Sequence, residues 1–183
     1  STTDYDANLQ KAKDLLAEAG YADGKGIPKI TYSTNDAGYH KVVAEYLQKA
    51  WGELGIDVDV EIVEWASFTP MRRNGDYMAS RNGWVGDYSD PSNILELFTT
   101  SNGNNDGNYA NADFDAVIEQ SRNTTDTAER SKLLHEAEDM LMDDAACIPI
   151  AYYNDFYLMS SKVTGAWHAS NGYWYFMYAD LED

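Results

Sequence analysis

Four consecutive segments at the start of the chain switch between the helical and the extended apolar period, and that alternation restricts the fold more than any other feature. From Tyr5 to Gly20, Leu9, Ala12, Leu15, Leu16 and Ala19 recur at helical spacing, after a candidate cap at Asp6 and before Gly20 as a stop. Ile27 to Thr34 alternates as a strand does and carries Pro28 at its start, where the missing N–H is tolerated. Tyr39 to Leu54 puts Val42, Val43, Tyr46, Leu47, Ala50, Trp51 and Leu54 on one helical face, and Gly55 ends the pattern. Asp57 to Glu64 alternates again: Val58, Val60 and Ile62 point one way, leaving Asp57 and Asp59 to solvent. Helix, strand, helix and strand in that order predict right-handed crossovers and a sheet covered by helices, the α/β class.

A helical turn from Ala66 to Asn74 and a strand from Tyr77 to Trp84 extend this pattern. Between Val85 and Ala112, Gly86, Pro91, Gly103 and Gly107 stand among Asn, Asp and Ser, which predicts loop with one short helix from Pro91 to Thr99. Helices follow over Ala112 to Arg122 and Thr127 to Asp144, the second opened by an Asp126 and Glu129 capping box. Ile148 to Tyr153 and Phe156 to Met159 read as a closing hairpin. In the tail, Tyr173-Trp174-Tyr175-Phe176-Met177-Tyr178 is apolar without a helical or alternating period, so it calls for burial on both faces. Nothing earlier in the chain supplies a second layer, and the cover is expected outside this sequence.

Composition removes several classes of function. Thirty-one acidic against thirteen basic side chains leave a formal charge of -18, which repels phosphate backbones and anionic lipid, so nucleic acid is not expected as a partner. Cys147 is the only cysteine, excluding an intrachain disulfide and a zinc site of clustered thiolates; its neighbours Ala146, Ile148 and Pro149 predict a small buried hydrophobe. No apolar run is long enough to span a membrane, and Ser1-Thr2-Thr3-Asp4 does not read as a secretory leader. The protein is therefore either cytoplasmic or has lost an upstream segment.

Catalytic motifs are weak. His40, His135 and His168 lie far apart, two of them on predicted helix surfaces, and neither a zinc-protease helix nor a nucleophile elbow is present. Carboxylate pairs abound, but in so acidic a chain they occur by chance, and a glycoside hydrolase needs a cleft geometry that spacing does not supply. Asn102-Gly103-Asn104-Asn105-Asp106-Gly107, followed by Asp113, imitates a calcium loop with too few anionic oxygens, so a polar surface loop is the plainer reading. Asn123-Thr124-Thr125 spells a glycosylation site, meaningful only in a secretory eukaryotic protein. No enzyme activity, metal or cofactor is expected.

The segment Arg81-Asn82-Gly83-Trp84-Val85-Gly86-Asp87-Tyr88-Ser89-Asp90-Pro91 leads from a predicted strand end into loop, the place where ligands bind to α/β sheets. Gly83 and Gly86 allow a close backbone approach, Trp84 and Tyr88 offer flat walls, and Asp87 and Arg81 carry opposite charges suited to a zwitterion. A structural reading stands beside this one: Trp84 in the core, Asp87 in an Asx turn ahead of Pro91, Arg81 paired locally.

With its flanks this segment resembles the oligopeptide- and dipeptide-binding proteins of bacterial ABC importers, the extracellular solute-binding family five. The resemblance runs in order through Ala12-Lys13-Asp14-Leu15-Leu16-Ala17-Glu18-Ala19-Gly20, Leu54-Gly55-Ile56-Asp57-Val58 with Glu64-Trp65, Tyr109-Ala110-Asn111-Ala112-Asp113-Phe114-Asp115, Ala137-Glu138 and Ile148-Pro149-Ile150. It implies a periplasmic-binding-protein-like (type II) lobe, a mixed sheet flanked by helices. Residues 1–162 would be the C-terminal ligand-binding lobe, and 163–183 a tail that returns to an N-terminal lobe outside this sequence. It also implies a receptor at the extracellular face of the membrane, lipid-anchored, or in the periplasm, which captures short peptides and delivers them to the transmembrane subunits of an ABC permease. On the same ground Asp87 matches the partner of a peptide α-ammonium, Arg81 an arginine that can meet a peptide carboxylate, and Trp84 and Tyr88 the surrounding wall. Gly86 stands where alanine is common in the family. Some relatives bind oligosaccharides, nickel complexes or haem, and an oligosaccharide receptor of the same fold is the alternative.

Overall fold

The computed structural model describes residues 4–154, 156–169 and 172–182. They fall into two units, Ser1–Gly83 and Trp84–Asp183.

In the first unit, helix α1 (Tyr5–Glu18) is capped by Asp4, whose side chain accepts from the Ala7 N–H at 3.0 Å, and not by Asp6, which lies inside its first turn. The expected apolar stripe is only half covered: Leu9, Ala12 and Leu16 are partly buried and Leu15 is exposed. Strand β1 (Ile30–Asn35) begins two residues beyond Pro28 and pairs in parallel with β2 (Val58–Val63), from Ile30↔Val58 to Asn35↔Val63. Between them α2 (His40–Gly52) covers one face of the sheet with Ala44 and Leu47, packed with Tyr32 and Val58 and flanked by Val43 and Trp51. Trp51 meets Tyr32 edge to face, with ring centroids 6.3 Å apart. The face read from spacing was too wide, because Val42 and Tyr46 are exposed. Asp57 and Asp59 face solvent as expected, and Lys29 reaches both, at 3.7 and 2.7 Å.

Helix α3 (Trp65–Asn74) is capped by the Glu64 side chain and ended by Gly75 in the left-handed conformation. It leads to β3, only Ala79–Ser80, where a strand to Trp84 was predicted. The Arg81 N–H adds one more ladder bond, to the Ser33 carbonyl at 2.9 Å. The Gly83 N–H then turns to the Asn82 side chain at 2.7 Å, which ends the pairing. All three strands are parallel in the order β2-β1-β3. A different lock joins the turns outside the sheet. Gly24 and Gly55, both at positive φ, approach so closely that a Cβ on Gly24 would overlap Gly55, and one on Gly55 would overlap the Asp23 carbonyl.

The second unit opens with Trp84. Helix α4 (Ser92–Leu95) and a single 3₁₀ turn (Glu96–Phe98) realise the predicted short helix. Helices α5 (Ala112–Asn123) and α6 (Thr127–Asp143) form an antiparallel pair around Leu95, Phe114, Ile118, Leu134, Ala137 and Leu141. Each Leu, Ile or Phe of this cluster, when fully buried, contributes about 1.5 to 3 kcal/mol. Asn111 caps α5 through the Asp113 and Phe114 N–H groups, and the Asp144 carboxylate accepts from Tyr109 Oη at 2.6 Å and Asn111 Nδ2 at 2.9 Å. Asp126 caps α6 by accepting from the Glu129 N–H at 2.8 Å. Cys147 packs at the edge of this core, where burial pushes its thiol pKa up, as befits a small hydrophobe.

The predicted hairpin over 148–159 does not form among the described residues; Asp155 lies outside them. Both runs hold strand formers, yet propensity makes a strand only where an edge offers hydrogen bonds. The tail instead pairs with itself. Strand β4 (Val163–Thr164) runs antiparallel to β7 (Asp180–Leu181), and within that loop β5 (Trp167–His168) pairs with β6 (Trp174–Tyr175). Trp167 stacks on Tyr175 at 4.3 Å. Tyr173, Phe176, Met177 and Tyr178 nevertheless stay exposed in this chain, where burial on both faces was expected. The α/β class is the one expected; antiparallel pairing is confined to these two small ribbons.

Candidate functional site

Strand order places the first candidate site. The chain goes from β1 through α2 to β2 on one side, then through α3 to β3 on the other side of β1. The connections diverge at the carboxyl ends of β1 and β3, the switch point where open α/β sheets bind ligands. Thr34 and Asn35 end β1 there, His40 opens α2, and Arg81 follows β3. Thr34 Oγ1, Asn35 Oδ1, both ring nitrogens of His40 and, on α3, Thr69 Oγ1 are buried without a hydrogen-bond partner among the described residues. Each such group costs about 1 to 3 kcal/mol when left unsatisfied, so those at this strand end suit a polar ligand or bridging water on either face.

The charge at this place is positive. Arg81 is half-buried, and burial first, then the neighbouring Arg72, pull its pKa down. Burial and then Arg81 push the His40 pKa below its ordinary value. The ring of Tyr39 meets that of His40 edge to face at 4.8 Å. In a chain of net charge -18, the two neighbouring arginines at this strand end can accept an anion, with His40 beside them as an uncharged imidazole.

The second candidate is the loop that opens the second unit, and it is built in the opposite way. Asn93 on α4 is buried, and its Oδ1 accepts from Trp84 Nε1 at 2.9 Å and from the Asp87 N–H at 3.2 Å. Asp90 is gripped by Arg130 of α6 through two bonds of 2.8 Å, and it also accepts from the Ser92 N–H at 2.9 Å. The Arg130 guanidinium holds the Asp90 carboxyl far below the usual carboxylate range. Tyr88 Oη lies 3.4 Å from Ser92 Oγ. A Cβ on Gly86 would stand 3.4 Å from Asn93 Oδ1, an ordinary contact, so the loop has room for alanine.

Against that pinned backbone the Asp87 carboxylate is exposed and has no hydrogen-bond or ion-pair partner among the described residues. Trp84 and Tyr88 are 37% and 49% exposed, so the indole is not core, contrary to the structural reading of this segment. Nor does Asp87 spend its side chain on an Asx turn; Asp90 takes that local role. Of the residues singled out from sequence, Trp84, Asp87 and Tyr88 share this loop, and Arg81 belongs to the first unit.

Asn35, His40, Arg72 and Asn93 escaped the sequence reading. His40 was assigned to a helix surface, although its position after a strand end was a usable signal. Asn93 carries no such signal. Elsewhere the structure supports plainer roles: Asn102 and Asn105 use their amides on the backbone of their own loop, His135 pairs with Glu138 at 3.4 Å, and His168 lies against Trp174. No helix is long and apolar enough to cross a membrane among the described residues.

Comparison with known proteins fits this geometry. Residues 1–106 match the family described as bacterial extracellular solute-binding proteins, family 5 Middle. The oligopeptide-binding protein OppA of Bacillus subtilis is 35% identical over 179 residues, which is 93% of this chain and 32% of that protein. The heme-binding protein A of Haemophilus influenzae is 34% identical over 178 residues, 93% of this chain and 32% of that protein. The crystal structure of Haemophilus influenzae OppA in complex with RPPGFSPFR superposes with a TM-score of 0.77 at 31% identity, covering 87% of this chain and 31% of that one. The chain thus spans about a third of the length of the curated relatives it matches. With residues 1–106, more than half of its length, matched, the chain belongs to the bacterial extracellular solute-binding proteins, family 5.

Proposed function

We propose that this chain is the C-terminal lobe of a two-lobed receptor that closes on short peptides and delivers them to an ABC permease, with no covalent chemistry. The observation that carries the reading is the exposed Asp87 carboxylate, without a partner among the described residues, on a loop whose Trp84 indole, Asp87 amide and Asp90 carboxylate are all bonded. A peptide's α-ammonium is its natural complement, and Trp84 and Tyr88 would wall the first residue. Arg81, with His40 and Arg72 near it, would meet a carboxylate. Main-chain hydrogen bonds would supply affinity without reading side chains. The relatives named oligopeptide-binding and the complex with RPPGFSPFR favour peptide over other solutes. The tail from Val163 onward would dock its exposed aromatic rings on the first lobe, and the receptor would work outside the cytoplasmic membrane, lipid-anchored or periplasmic.

Calorimetry on the complete protein tests this. Tri-alanine should bind and its N-acetylated form should bind far more weakly; equal affinity for both would remove the role of Asp87. The half-exposed rings of Trp84 and Tyr88 support a second reading, an oligosaccharide receptor whose rings stack on sugars. Thermal-shift screening separates the two, since only a ligand of the folded state raises the midpoint.

A further inference from the structure

We infer that Asn93 is a positioning residue, whose single amide oxygen sets both the Trp84 wall and the direction of the Asp87 carboxylate; the inference rests on Asp87 facing the ligand. Two N–H donors converge on one atom, Trp84 Nε1 at 2.9 Å and the Asp87 amide at 3.2 Å, so that atom has to be an acceptor and both its lone pairs are used. Fixing the Asp87 amide fixes its Cα, and from there the carboxylate reaches only a few staggered positions. The same oxygen orients the indole, so wall and charge move together.

Asn93 is itself held by a chain of contacts that starts on α6. Arg130 grips Asp90 through two bonds of 2.8 Å, Asp90 accepts from the Ser92 N–H, and the Asn93 N–H donates to the Asp90 carbonyl at 3.0 Å. The side chain is 7% exposed, so it does not touch the ligand and acts through its neighbours. Its contribution is therefore chiefly to preference for a free amino terminus, with a smaller one to packing on the Trp84 wall.

The test compares Asn93→Leu, which keeps the size and loses the acceptor, with Asn93→Asp, which keeps both lone pairs, in the complete protein. Affinity for tri-alanine should fall about tenfold in Asn93→Leu, in line with two modest hydrogen bonds, while affinity for N-acetyl-tri-alanine, which keeps only the wall contact, falls clearly less. Asn93→Asp should restore the preference to within about threefold of wild type. The Trp84 indole N–H resonance, assigned by its loss in Trp84→Phe, should keep its shift in Asn93→Asp and move in Asn93→Leu. An intact preference in Asn93→Leu, equal losses in the two variants, or equal losses for the two peptides would each overturn the inference. If wild type itself does not distinguish the peptides, the Asp87 reading falls instead, and an indole resonance unmoved in Asn93→Leu would then sink this one too.

Discussion

The strand ends of the first unit and the loop that opens the second handle polar groups in opposite ways. At Thr34, Asn35 and His40 the polar atoms are buried and unbonded, and the nearby charge is positive. At Trp84, Asp87 and Asp90 an indole, a backbone amide and a carboxylate are bonded within the protein, while the Asp87 carboxylate is exposed without a partner among the described residues. Preorganisation can thus be reached by two routes. On the proposed reading, one leaves polar atoms unbonded in a sheltered place, and the other ties down the backbone and ring around a single exposed charge.

If that contrast is right, removing the offered charge should cost binding and not folding. Asp87→Asn should weaken tri-alanine binding by about 100-fold, the value of a charge left without its partner in a closed site, measured by calorimetry. Its unfolding free energy should stay within about 0.5 kcal/mol of wild type, since the side chain is exposed. A large loss of stability would show that Asp87 belongs to the bonded scaffold.

Arg130→Ala should do the reverse, costing about 1 kcal/mol in denaturant unfolding after allowance for the solvent access of the pair. Because Asp90 has a depressed folded-state pKa, the pair stabilises above the ordinary carboxylate value near 3.8 and is lost progressively as the pH falls below it. Wild type should therefore lose more stability than Arg130→Ala between pH 5 and about pH 2. Parallel acid profiles would separate Asp90 from this role.

A smaller effect is expected at His40. Its folded-state pKa lies below 6.5, so as the pH falls past that value the unfolded chain takes up the proton first and stability declines. His40→Asn should flatten that part of the profile. NMR titration of the three imidazoles should place His40 below 6.5, and an unshifted midpoint would show that the strand end is open to water. Last, Gly86→Ala should change neither folding nor binding measurably, since a methyl there makes only ordinary contact.

How much of this was legible depends on whether the signal was local. The strands and helices of the first unit announce themselves because each buries one face, and the period follows from that burial, as at Tyr32, Leu47 and Val58. The 148–159 region misled because strand propensity says nothing about whether an edge is present to pair with. Val42 and Tyr46 read as core because apolar spacing marks a wide face, while packing on the sheet buries only a narrow stripe of it. Asp87 was singled out through resemblance and its strand-end context. His40 was misplaced and Asn93 missed because their roles depend on which atoms face them across the fold, at Arg81 and at Trp84, and no period records that.

The nested ribbons of the tail carry a mechanical consequence. The chain enters at Val163 and leaves at Leu181, and these two residues are opposite each other in the β4–β7 pair. Tension across the two ends would therefore open the ribbon like a zipper, one bonded pair after another, and not shear all its bonds at once. A tail of this kind yields at low force, one pair at a time.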